Sequence, residues 1–326
     1  MNILVDNLQK EILYLIFDFL KEVQLTTILL VDKKFNNNVY CYIRNRKFNI
    51  LNCCKNNRII TMRLLHNNNC KQYGLEYLAS IMSFAGSYEL FCQMHCNKTI
   101  SSNSSLINAA SGKNYNIIDF ITKKCGYKKI QLYSLIEGGA YAGDKDMINY
   151  VLSHKSIATS KLSTMGLLKR GLKGAGRGRR SDIMGMLINH GLNKSISIQC
   201  LADGLLIGAC IGGSVTFLKK ALVLGAKNIK IGLKYAGIYN RHRIICFALK
   251  EFPETDISLV FHGAFNFCQE QMFSFLLKFI KKDDINSYIS KFEISMHKNN
   301  SIVDYPQKNK ETQTKMIEIL KIILKK

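Results

Sequence analysis

Apolar residues recur at three- and four-residue spacing along most of the chain, so helices are expected almost throughout. Between Leu8 and Arg46 the first run sets Ile12, Ile16 and Leu20 on one face with Leu13 and Phe17 beside them. A second run, Leu25 with Ile28, Leu29, Leu30 and Val31, follows the polar break at residues 21–24. A third, from Phe35 to Tyr42, follows Asp32, Lys33 and Lys34. Three short helices within about 40 residues lie near the lower size limit for independent folding, so this head is expected to need a partner.

After residue 46 the pattern becomes a repeat. SFAGSYELFCQM from Ser83, AASGKNYNIIDFI from Ala109, AYAGDKDMINYVL from Ala140 and GAGRGRRSDIMGMLI from Gly174 share small residues, a short polar turn and an apolar pair opening a second helix. Weaker copies begin at Gly208, Tyr235 and His262, and a fainter one at Cys53. The first apolar residue of each second helix falls at Ile59, Leu90, Ile117, Met147, Ile183, Val215, Ile244 and Met272. These steps scatter around roughly 30 residues, a period typical of stacked helical repeats. Ile117, Phe120 and Ile121 are expected to share a helix face, as are Met147, Tyr150 and Val151. Glycine at the inter-helix turn can take positive φ. Each unit therefore reads as helix, turn, helix, with small residues allowing one hairpin's first helix to approach its neighbour. Seven or eight hairpins are expected over 47–281. Beyond them, 282–326 reads as a polar linker and a final amphipathic helix, with Met316, Ile317, Ile319, Leu320 and Ile323 on its apolar side, closing the stack.

Composition narrows the function classes. The hydrophobic fraction of 47% is that of a globular protein. No uninterrupted apolar stretch is long enough to cross a bilayer, and MNILVDNLQKE lacks the pattern of a cleavable signal; the sequence reads as neither membrane-spanning nor secreted. The eleven cysteines are scattered, several among apolar residues as at Cys210, Cys246 and Cys268, and read as small buried thiols in a reducing compartment. His66, Cys70, Cys92, His95 and Cys96 lack the Cys-x-x-Cys spacing of zinc knuckles, so no metal is expected.

The formal charge of +23 invites a nucleic-acid reading. It is spread among Lys/Asn-rich stretches, the product of AT-rich codon usage, without interleaved aromatic and basic residues of a recognisable RNA or DNA motif, so nucleic acid is disfavoured as a partner. The densest positive cluster is Lys169, Arg170, Lys173, Arg177, Arg179 and Arg180. It offers a candidate patch for an acidic partner, since Arg is suited to bidentate contact with carboxylate or phosphate. Its glycines, in GLKGAGRGRR, are not followed by Gly-Lys-Ser/Thr and are expected in an inter-helix turn rather than a phosphate cradle. No Gly-x-Ser-x-Gly elbow or His-Glu-x-x-His helix occurs, and neither catalysis nor a cofactor is expected.

The head resembles the F-box, a motif reading Leu-Pro-x-Glu, apolar pairs, Ile-Phe-x-x-Leu, then Val-x-Lys-x-Phe. The matching positions are Leu8, Glu11, Ile12, Leu13, Ile16, Phe17, Leu20, Leu25, Val31, Lys33 and Phe35, with Gln9 where proline is usual. That resemblance implies docking onto the Skp-type adaptor of a cullin-RING ubiquitin ligase, over 1–46. The hairpins resemble degenerate ankyrin repeats, with endings such as LINHG (Leu187 to Gly191) and LVLGA (Leu222 to Ala226), though Thr-Pro-Leu-His is absent and the chain has two prolines. A period nearer 30 than the 34 of tetratricopeptide or the 40-plus of HEAT arrays favours ankyrin over the alternative, a general α-helical solenoid. The fold class expected is thus all-α, a small three-helix F-box-like unit followed by an ankyrin-like hairpin solenoid. The combination is similar to proteins carried by large DNA viruses of protists. It implies a non-catalytic substrate-recognition adaptor in the host cytoplasm, or nucleus, whose array holds an unidentified target protein. The rival readings are an interaction scaffold without ligase recruitment and a basic nucleic-acid binder.

Overall fold

In a computed structural model, residues 75–89, 91–92, 102–125, 129–154, 161–280, 282–299 and 307–325 are described. The F-box-like head, including Leu8, Glu11, Ile12, Leu13, Ile16, Phe17, Leu20, Leu25, Val31 and Phe35, lies outside them, as do the faint copy at Cys53 and the His66, Cys70, His95 and Cys96 positions.

Among the described residues the chain is all-helical, with no strand. Helix α1 (Leu75–Ala85) is followed by helical residues at 88–89 and 91–92. Six hairpins follow: α2 (Ser102–Ser111) with α3 (Tyr115–Cys125), α4 (Lys129–Ala142) with α5 (Lys145–Ser153), α6 (Lys161–Gly178) with α7 (Ser181–Asn193), α8 (Ile198–Gly212) with α9 (Val215–Val223), α10 (Ile229–Ile238) with α11 (His242–Glu251), and α12 (Ser258–Asn266) with α13 (Glu270–Leu276). Helices α14 (Ile285–Asn299) and α15 (Gln307–Lys325) pack on each other and on the last hairpin. The first helices of successive hairpins, α1, α2, α4, α6, α8, α10 and α12, touch in chain order, and those of α4, α6 and α8 form the broadest interfaces. Successive second helices scarcely touch. Units held close on one side and apart on the other bend the stack, with the first helices lining the inner side.

Each turn between the paired helices is built alike. A residue with positive φ ends the first helix: Gly86, Lys113, Gly143, Arg179, Gly213, Asn240 or Cys268. The N–H of the next residue reaches back to a carbonyl in the preceding turn, as in Asp144 to Gly139, Arg180 to Ala175, Ser214 to Ala209 and Arg241 to Ala236. This is the hydrogen bond that closes a helix ending in a left-handed residue. Asp144 and Ser214 then cap the second helices, their side chains accepting from the N–H of Met147 and Phe217.

Side chains at the same turn position also tie neighbouring hairpins together. Asn114 Nδ2 donates to the carbonyls of Ser83 (2.7 Å) and Phe84 (2.9 Å). Arg180 Nε donates to Tyr141 O (3.3 Å) and Arg241 Nε to Ile211 O (2.7 Å), the equivalent carbonyls one hairpin earlier.

The small residues noted in the sequence have a definite job. Gly204, Gly208 and Gly212 of α8 lie against the carbonyls of Lys169, Lys173 and Arg177 of α6, and a methyl group on any of them would overlap those oxygens. Gly174 and Gly178 of α6 meet Glu137 and Tyr141 of α4 in the same way, and Gly138 of α4 meets Ile107 of α2. Helices this close gain backbone dispersion and Cα–H···O contacts that side chains would prevent.

Four expectations need correction. Residues 171–178 of the glycine-rich segment are helix interior, and only Arg179 and Arg180 form the turn, because the glycines serve the contact with α4 and α8. In α9 the residue equivalent to Ile183 and Ile244 is Phe217, buried, whereas Val215 opens the helix half-exposed. Tyr150 faces solvent at 45% exposure, since Met147, Ile148 and Val151 already fill the buried face of α5. Cys246 is exposed because Ile244, Ile245 and Ala248 take the buried side of α11; Cys210 is fully buried and Cys268 half-buried. In addition, α14 occupies part of the stretch read as a polar linker, burying Ile285, Tyr288, Ile289 and Phe292 at helical spacing.

Candidate interaction surface

Counting back from each left-handed turn residue, the positions two, six and ten residues earlier in a first helix fall on one face, one turn apart. In α4 they are Tyr133, Glu137 and Tyr141; in α6, Lys169, Lys173 and Arg177; in α8, Asp203, Ile207 and Ile211; in α10, Lys230, Lys234 and Ile238. Contacts between neighbours confirm that these rows lie side by side. Lys173 Nζ is 2.7 Å from Glu137 Oε1, and the Arg177 guanidinium sits 4.9 Å from the Tyr141 ring centre. This inner face is continuous across α4, α6, α8 and α10.

The six basic residues singled out in the sequence do come together here, but most already have internal partners. Arg170 and Lys173 both hold Glu137, at 3.0 and 2.7 Å, so that the Glu137 side chain is only 5% exposed while that of Arg170 remains 53% exposed. A carboxylate buried without those cations would be costly, so the cluster neutralises α4 before it can serve a partner. Arg179 Nη2 donates to Gly212 O (3.1 Å), one hairpin ahead, while Arg180 bonds backward to Tyr141. Lys169 lies on the same face half-buried. The predicted patch is thus in large part a set of latches between α4, α6 and α8.

Cations with no such engagement sit on α10. Lys230 and Lys234 are both exposed, one turn apart, beside exposed Ile231. The i, i+4 lysine spacing in IKIGLKYAGI was a visible signal for a solvated helical stripe. On the same face Asp203 is occupied: it accepts from the N–H of Lys227 (2.9 Å) and Asn228 (3.1 Å), fixing the loop that starts α10. The inner face therefore presents the exposed ammoniums of Lys230 and Lys234 among half-buried Tyr133, Tyr141, Ile207 and Ile238, with Ile211 buried beneath, a mixture complementary in charge and polarity to acidic and partly apolar groups.

Tyr115 donates to Asp144, and that bond, with Tyr115 partly desolvated, pushes the phenol up to about 12. Burial pushes the Cys210 thiol to about 12 and, with nearby Glu270, the Cys268 thiol to about 11, leaving both protonated and unreactive. Among the described residues no group of three or more His, Cys, Asp or Glu side chains could hold a metal ion. Nor is any described helix long and apolar enough to cross a membrane. No protein-family model matches the chain, and no curated protein matches it.

Proposed function

We propose that the chain is a substrate-recognition adaptor: an F-box-like head at 1–46 docks on the Skp-type adaptor of a cullin-RING ubiquitin ligase, and an ankyrin-like array holds the protein to be modified. The observation that carries this reading is the ordered set Leu8, Glu11, Ile12, Leu13, Ile16, Phe17, Leu20, Leu25, Val31 and Phe35, placed ahead of stacked hairpins with an open inner face. Two-layer hairpins, left-handed turn residues and a spacing of roughly 30 residues support the ankyrin-like class. On this reading the protein performs no bond chemistry. Tethering raises the local concentration of the target beside the conjugating enzyme, which can strengthen a weak encounter by orders of magnitude. The internal engagement of Arg170, Lys173, Arg177, Arg179 and Arg180 weighs against a nucleic-acid reading of the positive charge.

The test is retention of a purified Skp-type adaptor by the immobilised full chain. Loss of retention on changing Ile16 and Phe17 to Ala is expected, because buried apolar anchors dominate such interfaces. An adaptor that never binds, or that binds the double variant equally well, would falsify the ligase reading and leave a plain interaction scaffold.

A further inference from the structure

The outer layer carries a surface of different chemistry. Gly204, Gly208 and Gly212 bring α6 and α8 together, and the helices that follow them, α7 and α9, are left apart with an open groove of about 480 Å³ between them. One wall is Met184 and Ile188, a helical turn apart on α7. The other is Val215, Val223 and Leu224 on α9, with Lys219 and Lys220 rising from the same helix. Val223 is 88% exposed, the most exposed large apolar side chain among the described residues. No carboxylate lines the groove, and the nearest acid in sequence on α7, Asp182, faces Lys145 at 3.6 Å. Lys219 lies over the Phe247 ring of α11, and Lys220 lies over Phe217 while its ammonium donates to Ser181 Oγ of α7 (3.3 Å).

We propose that the groove between α7 and α9 is a docking site for an acidic amphipathic helix of a partner protein. The occupant's apolar stripe would lie on Met184, Ile188, Val223 and Leu224, and its carboxylates would meet Lys219 and Lys220. An open trough with an apolar floor suits a helix presenting anchors at i, i+3 or i+4, and i+7. A small ligand needs a site that encloses most of its surface, which this groove does not. A second copy of the chain, at +23, would bring further positive charge toward the lysines. The site is on the opposite layer from the inner face and does not depend on the head docking a ligase.

The experiment is fluorescence anisotropy of the full chain with a labelled amphipathic peptide, leucine on one face and glutamate on the others. A scrambled peptide of identical composition and a leucine/lysine counterpart serve as comparisons. The amphipathic acidic peptide is expected to bind at least about tenfold tighter than the scrambled one. Val223→Asp should weaken it about tenfold or more, and Lys219→Glu severalfold. Both positions are exposed, so the variants should keep the wild-type helical circular dichroism. Equal binding of the scrambled peptide, or of the lysine counterpart, overturns the proposal. So does acidic-peptide binding unchanged in both Val223→Asp and Lys219→Glu. Self-association of the chain that Val223→Asp abolishes would assign the groove to a second copy and overturn it as well.

Discussion

The hairpins of the middle and of the C-terminal end are packed by opposite means. From α4 to α8 the first helices meet backbone to backbone, through Gly174, Gly178, Gly204, Gly208 and Gly212 against carbonyl oxygens. From α12 to α14 the junctions are filled by rings: Phe265 stacks on Phe292 at 3.9 Å, Phe261 on Phe273 at 4.5 Å, and Tyr288 meets Phe261 edge-on at 4.9 Å. The change begins at α10, where Tyr235 occupies the position that Gly208 holds in α8 and Gly232 meets the Leu206 and Cys210 side chains instead of backbone. Gly237 and Gly263 keep two backbone approaches between α10 and α12. The lesson is one of tolerance. The middle cannot accept added atoms, and the end cannot lose them.

The largest expected effect breaks the end. Phe265 of α12 is fully buried against Phe292 of α14 and Phe273 of α13, and Phe265→Ala should cost about 4 kcal/mol, the usual range for deleting a core aromatic. Denaturant unfolding would read it, and hydrogen exchange should show the loss concentrated in α12 to α15. A loss spread evenly over the array would mean that the end is not a separate packing region.

Gly208→Ala tests the middle. Alanine is intrinsically better in a helix by about 1 kcal/mol, yet here its methyl would overlap Lys173 O. A net loss of about 2 kcal/mol is expected, together with a split unfolding transition as the α6–α8 interface uncouples. A neutral or stabilised variant would contradict the close approach of these helices.

Gly185→Ala is the matched control. Nothing lies within 4 Å of a Cβ at Gly185 in α7, so the ordinary helix preference should prevail and stabilise the chain by about 0.5–1 kcal/mol. Opposite signs at two helical glycines, measured in the same melt series, would sharpen the distinction between contact glycines and merely tolerated ones.

The smallest effect is a pH dependence confined to the aromatic end. His262, edge-on to Phe292 at 5.0 Å, has its pKa lowered by burial, then by Lys291 and Lys234, against a small opposing pull from Asp256. The folded protein takes this proton less readily than the unfolded chain. Its contribution is therefore full above the ordinary histidine value of 6.5 and is lost as the pH falls through the lowered folded value. His262→Gln should flatten the acid-side fall in the exchange protection of α12 and α14. An unaltered slope would assign that fall to other groups.

Much of the helical architecture was legible in the sequence because two periods are superimposed there, the helical one and the repeat of about 30 residues. Ile117, Met147, Ile183, Ile244 and Met272 all stand at the third position of their second helices. Val215 did not, because VTFLKKALV offers apolar residues at both candidate positions and only the cap by Ser214 selects Phe217. The glycine-rich segment was misassigned to a turn because glycine signals both a chain reversal and close helix approach, and only the neighbouring helix distinguishes them. Of the inner face, sequence density found Lys169 to Arg180 but could not show that Glu137, some 33 residues before Arg170, would claim two of its cations. The exposed pair Lys230 and Lys234 has no distinguishing signal in the sequence, since two lysines in one helix are unremarkable until the stack lines them up.

The most direct measurement of the central claim is affinity purification with mass spectrometry from the native host cell, using three chains: full length, residues 1–46 deleted, and Lys230→Glu with Lys234→Glu. The account predicts that the full chain brings down a Skp-type adaptor and a target, that the deletion loses the adaptor and keeps the target, and that the lysine variant does the reverse. Loss of both partners together in either variant, or a target retained without any adaptor in all three, would contradict it.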